Sequence, residues 1–282
     1  EALIADEIGN LNEDVKKGVL TALLVAAGIQ MVAGAPNGKM SLCHRFVGED
    51  EFVLGSVRKG DWEGIDAALH AFQQACVGLK RARVPVVAAP AGMALGGGFE
   101  VVVQSDAVHA HVNTVMGLVE TIVGLVPGGG GCKEMLHRWT VASGDDAHRG
   151  AMQAFMSIGM GKTSASPREA EPMQMFLRSD RSTMSRDHHL PLAKAYALEL
   201  AEGYATPAQA TFDALGSLGY EAMAEMLQTL VDKGIATPHD QITGLGLARV
   251  LSGGDAAPGD RLTEQDYLDL EREVFISLAR TE

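Results

Sequence analysis

Apolar residues recur with the period of a helix in several separate segments of the chain. The stretch DWEGIDAALHAFQQACVGLK places Ile65, Leu69, Phe72, Cys76 and Leu79 on one face and predicts a helix. An earlier segment, EDVKKGVLTALLVAAG, predicts another helix and is followed by a short strand, IQMVA.

The middle of the chain alternates between strand and helix. VPVVAAPAG is rich in β-branched residues and predicts a buried strand that runs directly into three glycines. GGGFEVVVQS then predicts a short helix, and DAVHAHVNT predicts another strand. This alternation indicates an α/β fold.

Beyond about residue 190 the pattern becomes helical throughout. We expect four successive helices with no strand between them, in the segments PLAKAYALELAEGY, SLGYEAMAEMLQTLVDKG, DQITGLGLARVLSGG and TEQDYLDLEREVFISLA. The pattern therefore predicts a core over residues 1–190 and a C-terminal helical section over residues 191–282.

Composition and net charge limit the kinds of molecule that we expect the chain to bind. Hydrophobic residues make up 46% of the 282, which suits a well-filled globular core. The net charge of −13 argues against a nucleic-acid surface, because such surfaces need clustered Lys and Arg. No run of apolar residues is long enough to span a membrane.

The cysteines and the first ten residues indicate the cellular location that we expect for the protein. The three cysteines are far apart and form no CxxC pair, which is typical of reduced thiols in a cytoplasmic protein. The first ten residues are acidic and lack the features of a signal peptide. Because they also lack an initiator Met, we expect the chain to be part of a longer protein.

Three candidate motifs fail on spacing or context. GMGKTS resembles the end of a phosphate-binding P-loop, but Met156 stands where that motif needs its first glycine. No GxGxxG follows a strand, so we expect no nicotinamide cofactor. His109 and His111 alternate on a predicted strand without a third ligand, and the ordinary interpretation is two half-exposed polar positions rather than a metal site. His188 and His189 fall in the polar connection RDHHLP and are expected to be solvated.

Two carboxylates lie in unusual surroundings. Glu100 follows GGGF and precedes VVV, and Glu120 lies in the apolar, glycine-rich stretch MGLVETIVGLVPGGGG. Each alone is explained by a helix surface or a local cap. A strand that runs through glycines into a helix, however, offers backbone N–H groups to an oxyanion, with carboxylates nearby to move protons.

The segment from VPVVAAPAGMALGGGFE to GLVPGGGGCKEMLHR resembles the crotonase, or enoyl-CoA hydratase/isomerase, superfamily. The resemblance rests on a Pro-initiated strand, the A-G-x-A-L-G-G-G-x-E turn, and the later G-x-x-E and G-x-x-P-G-x-G-G motifs. Other stretches resemble the hydratase module of bacterial fused fatty-acid oxidation enzymes. The implied fold is a crotonase-like spiral of ββα units followed by the C-terminal helical section.

The resemblance also implies roles for individual residues. Gly97, with Gly96 beside it, would present a backbone N–H to the thioester oxygen of an acyl-CoA. Glu100 would help to activate water for attack at the β-carbon, and Glu120 would exchange the proton at the α-carbon. The family's second oxyanion donor matches FVGEDEF, which places Gly48 and Glu49 in that loop.

The function expected from the resemblance is that of an enoyl-CoA hydratase, a lyase of fatty-acid β-oxidation. The alternatives are an enoyl-CoA isomerase, which commonly needs only the second acid, and a catalytically weak structural module of a fused enzyme. The expected partner is an acyl-CoA thioester, which is the substrate, with no cofactor, metal, nucleic acid or membrane. We also expect a homo-oligomer or part of a fused multifunctional enzyme.

Overall fold

The computed structural model describes residues 60–281 and, before them, three short strands. These strands are β1 (Ala33–Gly34), β2 (Lys39–Ser41) and β3 (Val53–Ser56), and they form an antiparallel sheet in that order. The predicted first helix lies outside the described residues, and of the predicted strand IQMVA only Ala33 falls within them.

The remaining elements alternate at first and are mainly helical later. The helices are α1 (Trp62–Lys80), α2 (Gly97–Val103), α3 (Gly131–Ala142), α4 (Ala147–Gly159), α5 (Pro167–Ala170), α6 (Arg186–Leu200), α7 (Gly216–Asp232), α8 (Pro238–Ser252) and α9 (Glu264–Ala279). The strands are β4 (Val87–Ala88), β5 (Met93–Leu95), β6 (Ala107–His111), β7 (Val115–Gly117), β8 (Thr163–Ser164), β9 (Arg181–Thr183), β10 (Thr211–Asp213) and β11 (Arg261–Thr263). The predicted α/β class with a C-terminal helical section is confirmed.

Helix α1 forms as the periodicity predicts. Its N-cap, Asp61, accepts a hydrogen bond from the Gly64 N–H at 3.1 Å. Ile65, Leu69 and Cys76 are buried along the face that was expected to be apolar. The helix contacts strand β3 and helix α9.

Of the predicted strand VPVVAAPAG, residues 87–88 form β4, and β5 follows the predicted segment in a different sheet. Strand β4 pairs with β6, which pairs with β9, and both pairings are parallel. Strand β5 pairs in parallel with β7, which pairs antiparallel with β8. Pro90 interrupts the run because it has no N–H to donate, and Gly92 turns the chain with φ +93°.

The C-terminal helices α6 to α9 form where the pattern predicts them, but the expected absence of strands was wrong. Strands β10 and β11 pair antiparallel through Thr211–Asp213 and Arg261–Thr263. Three-residue strands carry too few side chains to show a period of two, so the sequence pattern does not reveal them.

The predicted boundary at residue 190 falls within α6. That helix contacts β4 and β6, and helices α8 and α9 contact α3 and other helices of the preceding part of the chain. The division into residues 1–190 and 191–282 stays a prediction.

Two expectations about histidines were wrong. His109 and His111 are 4% and 5% exposed instead of half-exposed, because α6 covers that face of β6. His189 lies in the first turns of α6 rather than in a solvated connection, and its Nε2 is 2.7 Å from the His109 carbonyl oxygen. The Ser185 side chain caps this helix, which is why RDHHLP is helical. Within residues 60–281, no three His, Cys, Asp or Glu side chains are arranged to bind a metal ion.

No helix in the described part of the chain combines the length and the apolar character needed to cross a bilayer.

Candidate active site

The glycine stretch joins a strand to a helix through a conformation that requires glycine. Gly96 has φ +55° and donates its N–H to the Gly117 carbonyl at 2.9 Å, which holds β5 against β7. A Cβ atom at Gly96 would lie 3.0 Å from Oε1 of Glu120. Glycine at this position therefore permits both the turn and the close approach of the Glu120 carboxyl group.

Gly97 begins helix α2 with a backbone donor that points away from the helix. The Gly96 carbonyl accepts from the N–H groups of Phe99 and Glu100, at 2.8 and 3.0 Å. Within the described part of the chain, no acceptor is bonded to the N–H of Gly97 or of Gly98. These two buried residues thus present N–H groups that the helix itself cannot satisfy.

Glu100 lies one turn further along α2 and is 3% exposed. Its Oε1 accepts from the N–H groups of Gly129 and Gly131, at 2.7 and 2.8 Å. No hydrogen bond from the described residues reaches its Oε2. Burial raises the pKa of Glu100 to about 7, although the two N–H donors favour the ionised form. One oxygen is therefore anchored and the other is available.

Glu120 begins a 3₁₀ turn, Glu120–Val123, that follows β7. Its Oε2 is buried and has no hydrogen-bond partner among the described residues. Burial raises the pKa of Glu120 to about 8, and the neighbouring charge of Glu100 acts in the same direction. Thr121 fixes this turn, because its hydroxyl donates to the Ile158 carbonyl at 2.8 Å.

Four of the six predicted site residues come together in this part of the fold. The Cβ position of Gly96 faces Glu120, Gly97 begins the helix that carries Glu100, and the pKa of Glu120 responds to Glu100. Gly48 and Glu49 lie outside the described residues, so the second oxyanion donor stays a prediction.

Sequence reasoning missed the side chains that hold the loop 128–131 opposite Glu100. Gln73 of α1 donates to the carbonyl oxygens of Gly128 and Leu268, at 2.9 and 2.7 Å. Glu271 of α9 accepts from the N–H groups of Gly130 and Lys133, at 2.6 and 2.8 Å. A signal for Glu271 was present, because its spacing from the flanking apolar residues places it on the buried face of α9.

The arrangement suits a reaction that transfers protons and develops an oxyanion. Two carboxyl groups with pKa values near neutrality can exchange protons with a bound molecule at neutral pH. Unpaired backbone N–H groups at the start of α2 can stabilise negative charge on an oxygen atom. A substrate whose reaction moves protons while an oxyanion develops would be served by both.

Comparisons with known proteins agree with this chemistry. Residues 65–156 match the family model for enoyl-CoA hydratase/isomerase. A protein of Bacillus subtilis (strain 168), described as a probable 3-hydroxyacyl-CoA dehydrogenase, is 36% identical over 228 residues. That alignment covers 80% of this chain and 29% of the relative. The chain therefore spans less than a third of that relative's length.

Shorter and structural matches were also found. Mouse enoyl-CoA hydratase domain-containing protein 2 is 48% identical over 52 residues, which is 18% of each chain. The crystal structure of enoyl-CoA hydratase from Bacillus halodurans aligns with a TM-score of 0.46 at 16% identity, over 77% of this chain and 64% of that one.

Proposed function

We propose that this chain, which belongs to the enoyl-CoA hydratase/isomerase superfamily, adds water across the double bond of trans-2-enoyl-CoA thioesters. The observation that carries the proposal is a pair of carboxyl groups near the start of α2, the buried Glu100 and Glu120 with its buried Oε2. The N–H of Gly97 begins the same helix and bonds to no acceptor within residues 60–281.

The residues would divide the reaction between them. Glu100, through its unanchored Oε2, takes a proton from water while the water oxygen bonds to the β-carbon. Glu120 gives its proton to the α-carbon, and the π bond between the two carbons is lost. Gly97 donates its N–H to the thioester oxygen, where negative charge collects during the attack; removing such a donor typically costs about 10²–10³ in rate.

The order of the two pKa values suits these roles. The pKa of Glu100 is about 7 and that of Glu120 is about 8. Between these values the favoured state has Glu100 ionised, as a base must be, and Glu120 protonated, as an acid must be. Burial alone would leave both carboxyls neutral, and the N–H donors on Glu100 separate them.

The setting we propose is a fused enzyme of fatty-acid β-oxidation. The B. subtilis relative is named for a dehydrogenase that acts on 3-hydroxyacyl-CoA, and hydration of an enoyl-CoA yields that compound. Since this chain spans 29% of that relative, the dehydrogenase chemistry would belong to another part of the longer protein. A cytoplasmic location stays a prediction.

One observation favours an isomerase as the second candidate. Glu100 uses Oε1 to hold the loop at Gly129 and Gly131, so its role can be structural. Glu120 alone, whose Oε2 has no hydrogen-bond partner among the described residues, would then move a proton between the α- and γ-carbons of a 3-enoyl-CoA.

Ultraviolet absorbance of the conjugated thioester separates the candidates. A hydratase removes the absorbance of a short trans-2-enoyl-CoA, and an isomerase produces it from a 3-enoyl-CoA. We expect loss of absorbance with the parent chain and a severe reduction in both E100Q and E120Q. E225Q, at an exposed position on α7, is the matched control and should retain the parent rate.

The outcomes assign the reaction. Full hydratase activity in either active-site variant would contradict the proposed roles. Isomerase activity that persists in E100Q and disappears in E120Q would establish the second candidate. If folded protein binds CoA but shows neither activity, the remaining candidate is a structural module of a fused enzyme.

A further inference from the structure

Glu271 lies at the point where the C-terminal helix meets the loop that holds Glu100. Its side chain is fully buried on α9, 141 residues along the chain from Gly130. Its two oxygens accept from Gly130 and Lys133, whereas Oε1 of Glu100 accepts from Gly129 and Gly131. The N–H groups at the start of α3 therefore alternate between the two carboxyl groups.

The carbonyl groups of the same loop are also held. Gln73 donates to the Gly128 carbonyl, and Gln104 donates to the Gly129 carbonyl at 3.4 Å. Glu271 provides the described contact that fixes the N–H of Gly130. If that contact were lost, Gly130, with φ +105°, would be free to turn, and its neighbours Gly129 and Gly131 would turn with it.

The charged and titratable groups that face Glu271 come from three elements. They are Glu100 of α2, Cys132 and Lys133 of α3, and Cys76 of α1. Burial and the charge of Glu100 raise the pKa of Glu271 well above its usual range, against the opposing effect of Lys133. Glu271 thus ionises less readily than an exposed glutamate, and its two oxygens hold the N–H groups of Gly130 and Lys133.

We propose that Glu271 is a positioning residue: it fixes the start of α3 so that the N–H groups of Gly129 and Gly131 converge on Glu100. The expected effect of Glu271 on kcat rests on the hydratase function proposed above. Its effect on the titration of Glu100 does not, because the N–H bonds exist in the free protein.

The first measurement is the titration of Glu100 in the free chain, followed by carboxyl ¹³C NMR of glutamate-labelled protein. The Glu100 resonance is identified by its absence in E100Q. In E271A we expect the titration midpoint of Glu100 to rise by about one pH unit, because its ionised form loses N–H donors. In E271Q the amide has one oxygen and can accept from only one of the two N–H groups, so we expect a smaller rise.

E271D replaces E271A in this measurement if E271A does not fold. E271D keeps the carboxyl group but lacks one methylene, so it cannot reach both N–H groups, and its Glu100 midpoint should also rise. The matched control is E264Q on the same helix, since Glu264 is equally buried but accepts from Arg81 and Ala210 instead of the glycine loop. E264Q should leave the Glu100 midpoint unchanged.

The second measurement is hydratase kinetics. We expect kcat to fall on the order of 10- to 100-fold in E271A or E271D, with KM nearly constant, and to fall less in E271Q, which keeps one acceptor oxygen. An unchanged Glu100 midpoint and unchanged kcat in folded E271A or E271D would overturn the proposal, as would a loss in E264Q equal to that in the folded Glu271 variant. A parent chain without hydratase activity would contradict the proposed function alone, because the NMR titration still reports on positioning.

Discussion

Three buried glutamates show how neighbours decide the charge of a carboxyl group. Burial raises the pKa of Glu100 and Glu120, to about 7 and about 8. Glu134 is equally enclosed, yet Lys133 and Lys80 hold its pKa at about 2. Cations thus fix Glu134 as an ion, whereas no cation among the described residues pairs with Glu100 or Glu120, and both can change protonation near neutral pH.

The first prediction concerns the pH dependence of the proposed hydration. Activity requires Glu100 without its proton and Glu120 with it, so kcat/KM should rise through about pH 7 and fall above about pH 8. The two limbs belong to the coupled pair rather than to either residue alone. Initial rates with a short enoyl-CoA from pH 5 to pH 10 test this, and a profile that is flat from pH 6 to pH 9 would contradict it.

The second prediction concerns Gly129, which leaves no room for a side chain. A Cβ atom there would overlap the Phe72 ring and lie 2.9 Å from Oε2 of Glu100. We expect G129A to lose about 1–3 kcal/mol of unfolding free energy and most of the activity.

G78A is the control for that substitution. Gly78 lies in α1 with no heavy atom within 4 Å of the added Cβ, so it should gain about 0.5–1 kcal/mol. Denaturant unfolding of both variants measures the difference. Equal stability of the two would show that the loop can move away from Phe72.

At the scale of elements, the sequence predicted the features that depend on residues close together along the chain. The acids Glu100 and Glu120 stand in recognisable local motifs, and the family model for enoyl-CoA hydratase/isomerase matches residues 65–156, which contain both. Glu271 and Gln73 could not be given their roles, because their partners lie 141 and 55 residues away along the chain. The burial of His109 escaped prediction for the same reason, since a helix distant in sequence covers it.

Helix α9 provides the prediction at this scale. Thr263 and Asp266 form a capping box, in which the Thr263 hydroxyl accepts from the Asp266 N–H and Asp266 accepts from the Thr263 N–H. We expect T263A to lower the unfolding free energy by about 1 kcal/mol. T229A makes the same chemical change at an exposed position inside α7, where no N–H is capped, and should be nearly neutral. Equal losses in the two variants, measured by denaturant unfolding, would contradict a capping role.

At the scale of the whole molecule, the C-terminal helices and the core share one buried polar network. Lys133 of α3 is fully buried and pairs with Glu134, which also pairs with Lys80 at the end of α1. Arg81 then reaches Glu264 of α9 at 2.6 Å. The network adjoins Glu271 through Lys133, so hydrogen bonds and ion pairs connect helix α9 to the residues around Glu100.

The final prediction is that stability and activity have different pH optima. Glu100, Glu120 and Glu271 all have folded-state pKa values raised above the unfolded value, so the folded state holds more protons and loses stability as pH rises. Glu134 has a lowered pKa, and its contribution is lost only as pH falls through about 2.

The histidines act in the opposite direction but below this range. The pKa of His109 is lowered by burial, so its stabilising effect is complete once pH exceeds its unfolded value of about 6.5. Between pH 6.5 and pH 8 Glu100 and Glu120 therefore dominate, and the unfolding free energy should fall while activity reaches its maximum. Denaturant unfolding at half-unit intervals of pH measures the slope, which should become shallower in E100Q and in E120Q. If the unfolding free energy of the parent chain is constant or rises over this interval, the prediction is contradicted. The two carboxyl groups proposed for catalysis would then not be the source of the loss of stability.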